Sequence, residues 1–334
     1  MEEADPDMMR VDENTKTKTG TNSNIVTSMH MFISFIGAGI LGLPYAFMKS
    51  GLLGACIVLP ITGTAATYAM MLLVACKKEL ERKGKRVTNF GDIGFNVMGK
   101  RGAVLIDFLV VFTQVSFCCA YLLFIGNNLN TVFSFISKSE IIVLCAPGLL
   151  LMTLIRRVEN LTVFSMVADV CTVTGIFSVL GADVVHLPTF TPHVLTFNTS
   201  LSNGINETLK YDPKSSVIYG LVWSNLIYFF GVAIYCFEGV GVILHIEESM
   251  TRKEDFNKVL LRTMTVVTCM YTLFGVLGYI TFQEGTKEII TLNLGAGAVT
   301  ILVKFSLSLG LYFTYPLMMF PVHKVSGALM NYII

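Results

Sequence analysis

Long apolar runs alternate with short polar stretches along most of the chain. A helix needs about 20 apolar residues to cross the hydrocarbon core of a bilayer, and about eight runs approach or reach that length. The shortest of them is the fourth, which contains Pro147. The pattern therefore predicts an all-α polytopic membrane protein. The predicted spans cover residues 24–47, 52–76, 103–127, 140–155, 161–182, 217–244, 260–282 and 298–322.

The composition agrees with a bilayer setting. Of the 334 residues, 53% are hydrophobic and only 14% are charged, whereas a soluble domain has about 25% charged residues. The formal net charge of +1 gives no reason to expect a nucleic-acid partner. The eight cysteines show no CxxC spacing, which supports neither a zinc site nor a disulfide framework. We therefore expect a lipid-embedded protein without nucleic acid, metal or cofactor.

The basic residues predict how the chain is oriented in the membrane. They concentrate in three predicted loops, at residues 77–101, 156–157 and 252–262. Loops rich in Lys and Arg stay in the cytosol, so these loops and the N-terminus are predicted to be cytosolic. The predicted organisation is a disordered cytosolic tail at 1–23, a transmembrane transporter domain at 24–322 and a C-terminal end at 323–334, with spans one to five as a first repeat.

The longest loop on the opposite side of the membrane covers residues 183–216. It contains two Asn-x-Ser/Thr sequons, which begin at Asn198 and Asn206. A non-cytosolic position agrees with N-glycosylation, so both asparagines are candidate glycosylation sites. The alternative is that the sequons occur by chance in a loop rich in Asn, Thr and Ser.

Two apolar segments are interrupted by glycine at a depth where a membrane helix should be continuous. The first reads GAGILGLP from Gly37 to Pro44, and the second reads FEGVG from Phe237 to Gly241. Such breaks are tolerated only beside other protein or a cavity, and paired broken helices mark the binding site of many transporters. The breaks fall in spans one and six, which predicts an inverted-repeat fold of the LeuT type. The alternative is that these glycines are only packing contacts between helices.

Broken helices provide groups that suit an α-amino acid. The N-terminal ends of the half-helices offer free N–H groups and a positive dipole end to a carboxylate. The C-terminal ends offer carbonyl groups to an ammonium group. We therefore expect a substrate with both charges to bind between the two breaks. The predicted substrate-binding residues are Gly37, Ala38, Gly39, Ile40, Phe237, Glu238, Gly239 and Gly241.

Two ionisable residues are candidates for proton coupling. Glu238 lies deep in the sixth span, where a charged side chain costs about 2.5–3.5 kcal/mol on insertion scales. His30 precedes Gly37 in the first span, and histidine titrates near physiological pH. The alternative for both is a structural role, with Glu238 bonded to nearby backbone. The predicted coupling ion is a proton, and sodium is less favoured.

Several segments resemble the amino acid/auxin permease superfamily. The resemblance lies in residues 37–47, 114–128, 232–241 and 313–321, which read GAGILGLPYAF, QVSFCCAYLLFIGNN, VAIYCFEGVG and FTYPLMMFP. Within the superfamily the chain most resembles the proton-coupled amino acid transporters, and among them the plant-type vacuolar transporters of neutral and aromatic amino acids. A histidine that matches His30 is associated with coupling in that branch.

The resemblance implies a LeuT-like fold and proton symport of small neutral or aromatic amino acids toward the cytosol. It favours a vacuolar or lysosomal-type membrane, with the plasma membrane as the alternative. Full-length members have further spans after the eighth, so we expect the second repeat of this chain to be incomplete. The alternative function is a truncated, non-transporting isoform that senses amino acids or associates with full-length homologues. The absence of HExxH and GxSxG motifs gives no reason to expect an enzyme.

Overall fold

The computed structural model describes residues 22–85, 87, 89–153, 170–181, 220–294 and 297–333. Every named element within these ranges is a helix, as predicted for an all-α protein. Short 3-10 helices connect several of the α-helices. The α-helices are α1 Asn24–Phe35, α2 Leu43–Ser50, α3 Leu52–Arg82, α4 Phe90–Val132, α5 Lys138–Thr153, α6 Val170–Gly181, α7 Leu226–Cys236, α8 Ile243–Ser249, α9 Phe256–Phe282 and α10 Ala298–Ile333.

The described residues contain five stretches that are long and apolar enough to cross a membrane. A sixth forms if α1 and the bent segment Ala38–Ser50 count as one span. The predicted fourth span corresponds to α5, which has 16 residues. The predicted fifth span is described only over residues 170–181, and the loop 183–216 with both sequons lies outside the described residues. An all-α polytopic membrane protein is therefore confirmed.

Helix α4 consists of two pieces that meet at Gly99. Its start is fixed by a capping box, in which Asn89 Oδ1 accepts from the Asp92 N–H at 2.8 Å and Asp92 Oδ2 accepts from the Asn89 N–H at 3.1 Å. Gly99 has a φ of 68°, a conformation that glycine adopts without steric cost. The second piece, after Gly99, contains the predicted third span.

The two segments with glycine breaks lie side by side and run in opposite directions. Helix α1 packs against α8, and α2 packs against α7. At one end the Asn22 N–H donates to the carbonyl of Ser249 at 3.0 Å. At the other end the Val222 N–H donates to the carbonyl of Ser50 at 2.9 Å. The start of each segment is therefore bonded to the end of the other.

The described helices pack mainly in two groups. In the first, α9 contacts α1, α2 and α3, and α3 contacts α7. In the second, α10 packs along α4, and both contact α5. We call these the broken-helix group and the α4–α10 group. The broken segments face the α4–α10 group along α4, and that junction holds the polar residues of the candidate site.

Candidate functional site

Both predicted interruptions are present as breaks in the backbone. Helix α1 ends at Phe35, and a 3-10 helix of five residues follows at Ala38–Gly42. Helix α7 ends at Cys236, and a second 3-10 helix of five residues follows at Glu238–Val242. The first segment bends by 48° at its break. The two breaks therefore have the same local construction, although they lie in different halves of the chain.

The glycines let the two breaks approach each other closely. A Cβ added to Gly39 would lie 2.9 Å from the Cα of Cys236. A Cβ added to Gly239 would lie 2.7 Å from a ring carbon of Phe35. Both distances are shorter than ordinary van der Waals contacts, so a side chain at either position would force the segments apart. The two breaks thus form one structural unit.

A buried tyrosine satisfies the helix ends at both breaks. The hydroxyl of Tyr271 on α9 lies against the carbonyl oxygen of Phe35 and is 3.1 Å from the carbonyl oxygen of Cys236. These are the last residues of α1 and α7, where carbonyl groups lack partners within the helix. The hydroxyl has one proton, so it serves the two carbonyls in turn or shares the bond between them. Sequence reasoning missed this residue.

Glu238 lies at the centre of this unit and contacts the α4–α10 group. Its Oε1 accepts a hydrogen bond of 2.8 Å from the hydroxyl of Tyr121 on α4. A Cβ added to Gly37 would lie 2.5 Å from the same oxygen, so the carboxyl lies directly over the first break. Its Oε2 is buried and has no hydrogen-bond partner among the described residues. A carboxyl held by one oxygen leaves the other able to bind a proton or an ammonium group.

A second polar residue of α4 lies near the second break. Gln114 is 8% exposed, and its Oε1 has no hydrogen-bond partner among the described residues. Its Nε2 would lie 3.6 Å from a Cβ added to Gly241. Gln114 precedes Tyr121 by two helical turns, so both lie on one face of α4. A polar residue and a tyrosine seven positions apart in an apolar helix are the sequence signal that could have identified Gln114 and Tyr121 as site residues.

The other predicted site residues differ in their surroundings. Ala38, Ile40 and Phe237 are buried, and the ring of Phe237 packs 5.6 Å from the ring of Tyr271. His30 is exposed on α1, and its imidazole forms no hydrogen bond with the Glu238 carboxyl. The structure therefore brings Glu238 together with the glycines of both breaks, and it leaves His30 outside that cluster.

A buried ion cluster ties α3 to α8. Lys77 is fully buried, and its Nζ donates to Glu247 Oε2 at 3.0 Å and to Glu248 Oε1 at 2.7 Å. Glu247 is 1% exposed. The sequence placed Lys77 at the start of a cytosolic loop; α3 continues to Arg82, so Lys77 is helical, and its position on the cytosolic side stays a prediction. The buried ammonium group of Lys77 is stabilised by two carboxylates of α8, which neutralise its charge and accept its hydrogen bonds.

A polar network closes the far end of the junction between α4 and α10. Lys304 is 6% exposed, and its Nζ donates to Thr131 Oγ1 at 3.0 Å. The Thr131 hydroxyl donates to the carbonyl of Asn128 at 2.7 Å, and the Asn128 side chain accepts from Thr291 at 2.5 Å. This network joins α4, α10 and the 3-10 helix Ile290–Leu292.

The described helices form a polytopic bundle around two antiparallel broken segments, an arrangement that occurs in many membrane transporters. The sequence profile of the family described as transmembrane amino acid transporter protein matches residues 20–333. The chain therefore belongs to this family. Its members transport amino acids and are not enzymes, as the sequence predicted.

Curated relatives agree with this membership. The chain is 35% identical to amino acid transporter AVT3B of Arabidopsis thaliana over 319 residues, which are 91% of this chain and 71% of that protein. It is 34% identical to amino acid transporter ANT1 of the same plant, over 91% of this chain and 67% of that protein. It is 29% identical to vacuolar amino acid transporter 4 of Saccharomyces cerevisiae, over 96% of this chain and 42% of that protein. The predicted resemblance to vacuolar-type amino acid transporters is thus confirmed.

Proposed function

We propose that this chain carries small neutral or aromatic amino acids with a proton, toward the cytosol, across a vacuolar-type membrane. The family supports the transport of amino acids, and the name of the yeast relative supports the vacuolar membrane. The antiparallel pair of broken segments supports an inverted repeat of the LeuT type, and the distribution of Lys and Arg supports a cytosolic N-terminus. The proposal requires no cofactor and no sodium.

We place the substrate between the two breaks. The helical segment Ala38–Ser50 begins at the first break, and no side chain caps its start, so its first N–H groups would bind the carboxylate. Glu238 Oε2, which has no hydrogen-bond partner in the described part of the chain, would accept from the ammonium group. The residues assigned to this site are Gly37, Ala38, Gly39, Ile40, Phe237, Glu238, Gly239 and Gly241.

The observation that carries the coupling proposal is the position of the Glu238 carboxyl. One oxygen is fixed by Tyr121 across the junction of the two helix groups, and the other is buried without a partner among the described residues. Protonation of Oε2 neutralises the Glu238 carboxylate at the junction between the broken-helix group and the α4–α10 group. Each proton carried supplies about 1.4 kcal/mol per unit of pH difference, which is tenfold accumulation. His30 remains the second predicted coupling residue, on the exposed side of α1.

Reconstituted vesicles test this proposal. The purified chain is placed in liposomes, and uptake of labelled alanine and phenylalanine is measured with and without an imposed pH gradient. We expect uptake from the acidic side that a protonophore abolishes. Glu238→Gln cannot take up the proton, so it should lose accumulation driven by the gradient.

Glu254→Gln is the matched control, because Glu254 is an exposed carboxylate in a short 3-10 helix outside the site. It should accumulate substrate as the unmodified chain does. Equal accumulation by Glu238→Gln and Glu254→Gln would overturn the role of Glu238. Substrate binding without any flux would contradict transport by this chain and would leave its family membership intact.

A further inference from the structure

Three polar residues form a row along one face of α4. Gln114, Tyr121 and Asn128 follow one another at intervals of seven residues, which is close to two helical turns. Tyr121 donates to Glu238 Oε1, and Asn128 Oδ1 accepts from Thr291 at 2.5 Å. Two members of the row therefore have a polar partner on another element, and the question is what the third member binds.

The carbonyl oxygen of the Gln114 amide has no partner in the described part of the chain. This atom, Oε1, is buried, and the side chain is 8% exposed. The other amide atom, Nε2, would lie 3.6 Å from a Cβ added to Gly241, so the amide lies beside the second break. An amide that only joined helices would bond a neighbouring element, as Asn128 does. Because buried acceptors in native proteins are normally paired, a bound molecule with a donor would satisfy Oε1.

The second break is open beside this amide. Gly241 is exposed, and apart from its chain neighbours a Cβ added to it meets no described atom within 4 Å except Gln114 Nε2. That contact is an ordinary van der Waals distance. At Gly39 and Gly239, by contrast, an added Cβ would clash with the facing segment. The breaks are thus packed tightly against each other and leave room next to Gln114.

The position of the amide relative to Glu238 limits which substrate side chains can reach it. Glu238 and Gly241 are three residues apart in the 3-10 helix Glu238–Val242, roughly 6 Å along its axis at ~2.0 Å per residue. An amino acid whose ammonium group binds Glu238 Oε2 can therefore extend its side chain along the break toward Gln114. The phenol of tyrosine and the amide of glutamine are long enough to end there, whereas the side chains of alanine and serine are too short.

We infer that Gln114 determines substrate specificity, and that its Oε1 accepts a hydrogen bond from a donor at the end of a long, neutral substrate side chain. The inference rests on the proposed position of the substrate between the two breaks. The phenol O–H of tyrosine is a donor of this kind. Phenylalanine lacks only that hydroxyl, so it leaves Oε1 unpaired and binds more weakly. The site thus prefers tyrosine to phenylalanine.

Direct binding measurements test this preference without requiring transport. The Kd values of labelled tyrosine and phenylalanine are measured on the purified full chain in detergent. We expect tyrosine to bind about tenfold more tightly than phenylalanine, since one hydrogen bond to a buried amide supplies a factor of this order. Equal Kd values for the two amino acids would overturn the inference.

Gln114→Met removes the amide and keeps an unbranched side chain of similar length. The preference for tyrosine should then disappear, because no acceptor is left for the hydroxyl. Ser116→Ala is the matched control, since Ser116 is an exposed residue of α4 whose hydroxyl donates to the carbonyl of Phe112 at 2.8 Å. This control should keep the preference. A preference for tyrosine that persists in Gln114→Met would overturn the assignment of Gln114.

Gly241→Ala tests the position of the side chain and serves if Gln114→Met fails to elute as a folded species. It leaves Gln114 in place and adds a methyl group at ordinary contact distance from the amide. Tyrosine binding should weaken several-fold and more than alanine binding, because only the longer side chain reaches Gly241. Equal effects on the two amino acids would overturn the inference.

These measurements also separate the inference from the proposed function. If the unmodified chain binds no amino acid, the proposed function fails and the inference fails with it. If the chain binds both aromatic amino acids without preferring tyrosine, only the inference about Gln114 is overturned.

Discussion

At the scale of single residues, the absence of a side chain at Gly39 determines how closely the two breaks approach. Gly39→Ala would place a Cβ 2.9 Å from the Cα of Cys236, and backbone cannot move aside as a flexible side chain can. Forcing an extra carbon into packed structure costs about 1–3 kcal/mol. We expect a lower melting temperature in detergent and a loss of gradient-driven uptake.

Gly231 on α7 provides the matched control. It is exposed, and a Cβ added there meets no atom within 4 Å. Alanine is favoured over glycine inside a helix by about 1 kcal/mol, so Gly231→Ala should leave both melting temperature and uptake at or above the original values. If Gly39→Ala behaved as Gly231→Ala does, the contact between the breaks would not be tight in the membrane.

Some residues of the candidate site could be predicted from the sequence, and others could not. Gly37, Gly39 and Glu238 were predictable, because glycine and a carboxylate are locally out of place in an apolar helix. Tyr271 was not, since a tyrosine is ordinary in a membrane helix and its role depends on carbonyls at Phe35 and Cys236. Those residues precede it by 236 and 35 positions, and only the fold brings them together.

At the scale of helices, the ion cluster of Lys77 fixes α3 to the end of the second broken segment. Lys77 and Glu247 are 0% and 1% exposed, so each neutralises a charge that would otherwise be buried alone. Removing one member of such a pair costs about 3–5 kcal/mol. Lys77→Met should therefore lower the melting temperature in detergent strongly.

Lys83→Met tests whether this loss is specific to the buried pair. Lys83 lies just after α3, is 61% exposed and pairs with Glu79 at 3.3 Å. Water screens that exposed pair, so the melting temperature should hardly change. An equal fall of the melting temperature in Lys77→Met and Lys83→Met would show that the stabilisation does not depend on the burial of Lys77. The sequence could not reveal the pair of Lys77 and Glu247. Two adjacent lysines at the end of an apolar run indicate the end of a span, and the carboxylate that neutralises Lys77 is 170 positions away in the chain.

At the scale of the whole molecule, the candidate site lies where the broken-helix group meets the α4–α10 group. The Tyr121–Glu238 hydrogen bond crosses this junction, and Gln114 faces Gly241 across it. The composition and the two breaks allowed the class of fold to be predicted. The division into two groups could not be, because it depends on which apolar faces meet, and apolar helices carry little information on their partners.

The position of the site between two groups predicts that a bound amino acid stabilises the whole molecule. A ligand present at 100 times its Kd adds about 2.7 kcal/mol to the free energy of unfolding, so phenylalanine should raise the melting temperature in detergent. Phenethylamine is the matched control, because it keeps the ring and the ammonium group but lacks the carboxylate that the N–H groups of Ala38–Ser50 would bind. It should give little stabilisation at the same concentration. If phenethylamine stabilised the protein as well as phenylalanine does, recognition of the carboxylate by these N–H groups would be wrong, and the ligand would be held by its ring and its ammonium group.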